Sequence, residues 1–334
     1  MKLVVKSKFK DYPIFIKKDL LSNISEYFDT EIKTLIISDS GIPSIYIELL
    51  KNQLKNELTY IIPKGEKSKD LKIYEKIIEF LNENNFTRND RIIALGGGVV
   101  GDLSAFVAST YKRGIKFINI PTTTLSMIDS SIGGKTAINI DNTKNIIGTF
   151  YAPDMVLIDV NVLKTLDVRN YNNGLVEAIK MAMTHNKEFF EKIFSNSLDI
   201  EEIIYNSLLI KKEVVEKDEF EKNIRKSLNF GHTFGHAIES LEKFDLLHGE
   251  CVALGILMIS KDKEYYGKIL SLFNKLNIQV DKINSVNYKD LFMYVVKDKK
   301  TVSDKYIDII EVNEIGSFTI EKIEIDQLFQ KCGG

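Results

Sequence analysis

The chain has no tryptophan, two cysteines, five prolines and four histidines in 334 residues. Cys251 and Cys332, neither in a C-x-x-C pair, are too few for a disulfide framework. No tract rich in proline, glycine or serine suggests a tether, and no segment repeats. No apolar run approaches the roughly 20 residues of a membrane span, the longest near the histidines being Cys251–Ile259. The opening residues 1–8 lack the apolar stretch of a signal peptide, so a cytoplasmic location is expected. Forty-five basic against 47 acidic residues, a formal charge of −2, supply no electrostatic reason for a nucleic-acid partner. Neither nucleic acid nor a membrane is expected as a partner. A globular cytoplasmic enzyme is the class that remains.

At this length a single core has usually stopped growing, so two domains are expected. The first half alternates strand-like and helix-like segments. Leu3–Val5, Ile14–Ile16, Thr34–Asp39, Leu58–Ile62 and Arg91–Leu95 read as strands; Ile42–Lys55 and Leu71–Leu81 read as helices. Such alternation predicts a mainly parallel sheet covered by helices. Beyond about residue 160 the pattern turns to helices over Tyr171–Thr184, Leu198–Val215, Phe234–Glu242 and Cys251–Asp262, then to short β-like runs between Lys305 and Leu328. The expected division is 1–160 and 161–334, an α/β half and a mainly helical half, with an active site between them.

Three of the four histidines crowd into Asn229-Phe230-Gly231-His232-Thr233-Phe234-Gly235-His236 and the nearby His248. His232 and His236, four apart, share a helix face. Two imidazoles and a carboxylate with an open position make a usual catalytic zinc site. The carboxylate is expected from Asn173-Gly174-Leu175-Val176-Glu177-Ala178-Ile179-Lys180, a helix apolar nearly all round and therefore buried. A buried charge there needs a partner or a metal. Glu177 is expected to bind the metal, leaving Lys180 to face a substrate anion or hydroxyl.

Gly96-Gly97-Gly98-Val99-Val100-Gly101-Asp102 follows a strand and opens a helix, which suits a pyrophosphate at the helix N-terminus. The acid expected about 20 residues later is missing, Ile120-Pro121-Thr122 standing there; Asp39, ending an earlier strand, is the substitute. Asp129-Ser130-Ser131-Ile132-Gly133-Gly134-Lys135-Thr136 lacks the first glycine of a Walker loop, which disfavours ATP hydrolysis but leaves an anion site. Lys144-Asn145 adds a cation and an amide; on their own these residues read as an exposed loop. Lys211, among Lys212, Glu213 and Glu216, reads as part of a solvated face. Arg225, with a planar fork suited to a carboxylate, reads as a ligand contact.

Taken together, the glycine-rich turn, Pro121-Thr122-Thr123, Asp129–Thr136, Lys144-Asn145 and the histidine segment resemble the 3-dehydroquinate synthase family of sugar phosphate cyclases. The resemblance runs in order from about Asp39 to Lys300. It implies an NAD-binding α/β domain, a helical metal-binding domain and a homodimer. By the same resemblance Glu177, His232 and His248 bind zinc or cobalt. Asp39, Glu66, Lys69, Gly97, Gly98, Val99, Asp102, Thr122, Thr123, Lys135, Lys144 and Thr165 would hold NAD. Asp129, Lys135, Lys180, Asn229 and His236 would carry the chemistry, and Arg113, Asn145, Lys211, Arg225 and Lys300 would bind substrate, with Lys299 the alternative to Lys300. Arg113 matches an arginine that serves the neighbouring subunit. The implied reaction turns a sugar-acid phosphate, 3-deoxy-D-arabino-heptulosonate 7-phosphate, into 3-dehydroquinate by transient oxidation, phosphate elimination, reduction and aldol closure. Where relatives more often carry a His-Pro-x-Gly turn, this chain has Ile140-Asp141-Asn142-Thr143.

Three rival readings differ in what they require. A cyclase resembling 2-deoxy-scyllo-inosose synthase or acting on sedoheptulose 7-phosphate takes a substrate without a carboxylate and has no need of Arg225. A polyol dehydrogenase of related fold would accumulate NADH. A binding protein without catalysis has no structural need for Glu177, His232, His248, Lys135 and Arg225 together.

Overall fold

A computed structural model describes residues 1–141, 143–241, 245–285, 287–299 and 306–331. The chain forms two compact units, Met1–Leu166 and Asp167–Gly334. The division falls somewhat beyond residue 160 because the 3-10 segment Val160–Thr165 buries Val160, Val162 and Leu163. Asp159, at its N-cap, also accepts the backbone N–H groups of Asp19 and Leu21, tying that segment to the first unit.

The first unit runs β1 (Lys2–Val5), β2 (Tyr12–Ile16), β3 (Thr34–Asp39), α1 (Ser44–Lys51), β4 (Glu57–Ile62), α2 (Leu71–Glu83), β5 (Arg91–Gly96), α3 (Gly98–Thr110), β6 (Lys116–Pro121), β7 (Lys135–Ile140), β8 (Thr143–Phe150) and β9 (Met155–Ile158). Seven strands pair in the order β1-β2-β9-β6-β5-β3-β4, parallel throughout except for β1 with β2. Leu35-Ile36-Ile37 and Ile92-Ile93-Ala94-Leu95 are fully buried, as continuous apolar runs must be when both sheet faces are covered. Ile77 and Leu81 of α2 and Leu103 and Val107 of α3 join one of these faces. Each such side chain contributes roughly 1.5–3 kcal/mol on burial.

After β3 the chain moves outward to β4, and from β5 it moves the other way to β6. The strand order therefore reverses between β3 and β5. Their carboxyl ends, Asp39 and Gly96, flank the crevice where open α/β sheets bind ligands.

Two local expectations change. The helix read over Ile42–Lys55 shrinks to α1, since Pro43 holds the N-cap and disfavours helical backbone at Ile42. The stretch read as an exposed anion loop is an antiparallel hairpin of β7 and β8, with Ile140 opposite Thr143. Gly133 and Gly134, at φ 98° and 66°, turn the chain into β7 rather than into a helix. The missed signal is the two-residue connection, whose Asp141 has the positive φ that tight hairpins need.

The second unit contains α4 (Val168–His185), α5 (Lys187–Phe194), α6 (Ile200–Lys217), α7 (His232–Ser240), α8 (His248–Ile259), α9 (Tyr266–Lys275), α10 (Tyr288–Lys299), the hairpin of β10 (Tyr306–Glu311) and β11 (Thr319–Glu324), and α11 (Ile325–Lys331). Asp167, Asn186 and Asp199 cap α4, α5 and α6 through side-chain oxygens. Phe234, Ala237 and Ile238 of α7 pack with Cys251, Leu254 and Met258 of α8 and with Leu291 and Val295 of α10. Among the described residues no helix is long and apolar enough to cross a membrane.

Candidate functional site

In the second unit α4, α7 and α8 bring three ligand groups together. Glu177 is 1% exposed on α4, and its Oε1 lies 3.9 Å from His232 Nε2 and 3.8 Å from His248 Nε2. Tetrahedral zinc with bonds of about 2.0–2.1 Å sets its donors about 3.4 Å apart, so the carboxylate oxygen lies about half an ångström too far from each imidazole, and all three donors lie within 4.8 Å of one another. Oε1 is buried without any hydrogen-bond partner, while Oε2 accepts from Lys180 Nζ. An orphaned carboxylate oxygen facing two imidazole nitrogens fits a divalent cation. Among the described residues this is the one group of three such donors close enough to share an ion.

Each imidazole is oriented from behind. His232 Nδ1 lies 3.2 Å from the Phe230 carbonyl, and His248 Nδ1 lies 3.3 Å from Glu239 Oε2. A proton on Nδ1 in each ring leaves the Nε2 lone pair for a metal. Burial, with Lys180 and the other two imidazoles nearby, pushes His232 well below its ordinary pKa. Burial also works to lower His248, but Glu239 and Glu177 outweigh it and leave its value raised.

The spacing of the rings depends on close backbone approach. Gly231, at φ 78°, starts α7; a Cβ on Gly255 of α8 would stand 2.0 Å from the Gly231 carbonyl. Side chains at these positions would wedge the two helices apart. His236 sits one turn beyond His232 on an exposed face, with ring centroids 5.1 Å from His232 and 5.9 Å from His248. The remaining histidine, His185, stands apart between the Thr184 and Ser227 hydroxyls, and burial lowers it to about 4.

Lys180, expected to face a substrate, is 2% exposed and pairs its ammonium with Glu177 on the same helix turn. Lys211 is 5% exposed, contrary to the solvated face read from its charged neighbours. It lies on the buried side of α6 with Ser207, Leu208 and Val214, while Lys212 pairs with Glu216 on the outer side. Arg225 and Asn229 lie in the 3-10 segment Ile224–Asn229. Asp218 shapes the approach by accepting the N–H groups of Lys222, Asn223 and Arg225. Desolvation alone would raise its carboxyl, but these three donors hold it below the ordinary value. Arg225 donates to the Glu219 carbonyl and Asn229 to Glu221, 2.7 Å away. Lys300 lies outside the described residues, and Lys299 ends α10.

In the first unit Asp39 ends β3, Gly97 caps α3, and Thr122 and Thr123 follow β6, all at carboxyl ends of adjacent strands. A Cβ on Gly97 would meet Thr123 Cγ2 at 3.1 Å, and one on Gly98 would meet Ser130 Oγ at 3.3 Å. Side chains would fill this cradle, whereas bare backbone leaves a pyrophosphate room beside Val99 and the first turn of α3. Thr122 Oγ1 is buried without a partner. Lys69 Nζ donates to Asp102 at 2.6 Å and to Asn145 at 2.5 Å. Asn139, which the sequence did not single out, donates to Glu66 Oε1 and accepts from the Asn145 N–H, both at 2.8 Å. It thus links two expected binding residues; an amide beside a stretch read as a loop gives no sign of this.

Thr165 Oγ1 meets the Tyr46 hydroxyl at 3.0 Å. Asp129 lies in the π-helical turn Ser126–Ser130, Lys135 opens β7, and Lys144 is the second residue of β8. Arg113 is not part of this cluster. It follows α3, at the amino end of the parallel strands, opposite the glycine turn.

The 3-dehydroquinate synthase N-terminal model matches residues 59–173 and the C-terminal model residues 174–301. A 3-dehydroquinate synthase from Dictyoglomus turgidum is 43% identical over 96% of this chain and 95% of its own length. One from Thermoanaerobacter pseudethanolicus is 37% identical over 98% of each chain. Among solved structures, 2-deoxy-scyllo-inosose synthase with carbaglucose-6-phosphate, NAD+ and Co2+ superposes with a TM-score of 0.89 over 100% of both chains at 23% identity. The 2-epi-5-epi-valiolone synthase of Streptomyces hygroscopicus with NAD+ and Zn2+ gives 0.87 at 23% identity over 98% of each chain. At such identities these structures speak for the fold.

Proposed function

The chain belongs to the 3-dehydroquinate synthase family, and from that premise we propose how its residues divide the work of the reaction. The enzyme is a carbon–oxygen lyase that converts 3-deoxy-D-arabino-heptulosonate 7-phosphate to 3-dehydroquinate and phosphate, a step of the shikimate pathway. When bound, NAD and a zinc or cobalt ion supply a hydride acceptor and a Lewis acid for the transient oxidation.

Glu177 Oε1, His232 Nε2 and His248 Nε2 hold the ion. The observation that carries this assignment is the buried Oε1 with no partner other than the two imidazoles it faces. Lys180, on Oε2, balances the carboxylate and offers a proton donor to a substrate hydroxyl. Asp39 takes the adenine ribose and the turn Gly97-Gly98-Val99 the pyrophosphate of the dinucleotide, with Thr122, Thr123, Lys144 and Thr165 beside them. Glu66, Lys69 and Asp102, joined through Asn139 and Asn145, stiffen that surface.

Lys135, Asn145, Asn229 and His236 orient the phosphate so that its own oxygen can take the neighbouring proton as it leaves; Lys300 completes this set. Arg225 and Lys211 hold the substrate carboxylate, and Asp129 orients the reacting carbinol. An arginine for a carboxylate is what separates this reading from a cyclase acting on glucose 6-phosphate or sedoheptulose 7-phosphate.

A phosphate-release assay tests the reading. Heptulosonate phosphate should yield phosphate with no net NADH, and a chelator should stop it. Release from glucose 6-phosphate or sedoheptulose 7-phosphate instead would favour the rival cyclases. NADH accumulating with glycerol would favour a dehydrogenase.

The proposal extends to a homodimer in the cytoplasm. Arg113 supports the dimer: it sits at the far end of its own sheet, and Lys112 and Arg113 both adopt positive φ, a costly backbone for two residues with side chains. Such a turn presents the guanidinium outward, toward a second copy's phosphate. Sedimentation should give a dimer, and a monomer active at every concentration would sink this. The buried thiol of Cys251 suits a reducing compartment, which cell fractionation can check.

A further inference from the structure

Helix α8, which begins with the ligand His248, lacks a cap of its own. Its N-cap is Leu247, whose side chain has no oxygen to receive the exposed N–H groups of the first turn. The oxygen comes from another helix. Asn173 Oδ1, on α4, accepts from Gly249 N at 2.7 Å and from Glu250 N at 3.3 Å. Asn173 is buried and stands four residues before Glu177, so both project from one face of α4.

Two further features hold the contact. A Cβ on Gly249 would lie 2.1 Å from the Asn173 carbonyl, so the helices touch backbone to backbone there. Arg169, a turn earlier on α4, makes a two-pronged pair with Glu250 at 2.8 Å through each nitrogen, and Glu250 Oε2 accepts the Leu247 N–H. Arg169, Asn173, Glu177 and Lys180 thus form one polar stripe that runs from the exposed first turn of α4 into its buried part. Its first two members grip the end of α8, and its third faces the imidazole that this end carries.

We propose that Asn173 is a positioning residue for the metal centre: by capping α8 from α4 it sets the separation of Glu177 and His248. The inference rests on those two being ligands. It adds a residue that touches neither the ion nor the substrate, yet governs affinity for the ion. An ordinary local cap would finish the helix equally well but would not fix its first backbone N–H groups to α4, leaving that contact to the Arg169–Glu250 pair.

That difference gives the test. Leu247 has extended backbone, φ −78° and ψ 159°, suited to a capping residue, so Leu247→Asp supplies a local cap. In that background Asn173→Ala removes the amide tether, keeping the Arg169–Glu250 pair, while the helix end stays satisfied. Zinc affinity, measured by chelator competition on the full chain, is expected to fall about 10- to 100-fold relative to Leu247→Asp alone, as when a group orienting a ligand is lost. The melting temperature of the metal-free protein should change little between the two. Asn173→Asp, which keeps an acceptor oxygen, should stay within a few-fold of wild type. Equal zinc affinity with and without Asn173 overturns the proposal, as does a loss in Asn173→Asp as large as in the alanine variant. A wild-type chain that binds no zinc at all would instead refute the ligand assignment.

Discussion

His232→Ala is expected to lose metal and turnover together. Glu177 Oε1 has no hydrogen-bond donor to fall back on, so the site without an ion holds a buried and partly unsatisfied carboxylate. Structural zinc sites with four protein ligands bind with about 10–16 kcal/mol, so losing one ligand costs roughly 3 kcal/mol, more than about a hundredfold in affinity. Zinc should raise the melting temperature of metal-free wild type, by linkage, and barely move that of the variant. Metal analysis after dialysis, read beside phosphate release, checks both halves. A variant that keeps one equivalent of metal, or that turns over without it, would remove His232 from the ligand set.

Arg225→Ala should weaken the substrate far more than NAD. The guanidinium is buried, and Lys211, also buried, cannot replace its planar fork. Truncating one side of a desolvated charge pair costs about 2–5 kcal/mol, from about 30-fold to several thousandfold in binding. The backbone N–H of Arg225 still reaches Asp218 in the variant, so the segment keeps its main anchor. Arg225→Lys should recover little, since a point charge makes one contact where the fork makes two. Titration with the heptulosonate phosphate and with NAD separates the outcomes. Unchanged substrate binding would mean that the carboxylate is held elsewhere and would reopen the case for a cyclase of neutral sugar phosphates.

Much of this protein is legible without coordinates, and the reasons are local. Leu35-Ile36-Ile37 and Ile92–Leu95 are uniformly apolar because both faces of a parallel sheet are covered. Glu177 stands out because an apolar helix cannot bury a charge for nothing. Three histidines in one window mark a metal because imidazoles so placed can converge.

Other residues gave no such sign. Lys211 and Lys212 are neighbours of the same kind, yet one is buried and the other pairs at the surface; a rotation of about 100° along the helix separates them. Asn139 and Asn173 are amides whose partners Glu66 and Gly249 lie 73 and 76 residues away, so neither spacing nor composition betrays them.

The sequence by itself determined the alternation of strands and helices, the family, and which groups are candidates for binding, because period, glycine and charge act over a few residues. The tertiary structure decided the distances. It placed Oε1 of Glu177 between two imidazoles, gave Oε2 to Lys180, and fastened α8 to α4 through Asn173. These are contacts between segments remote in the chain, and only packing sets them.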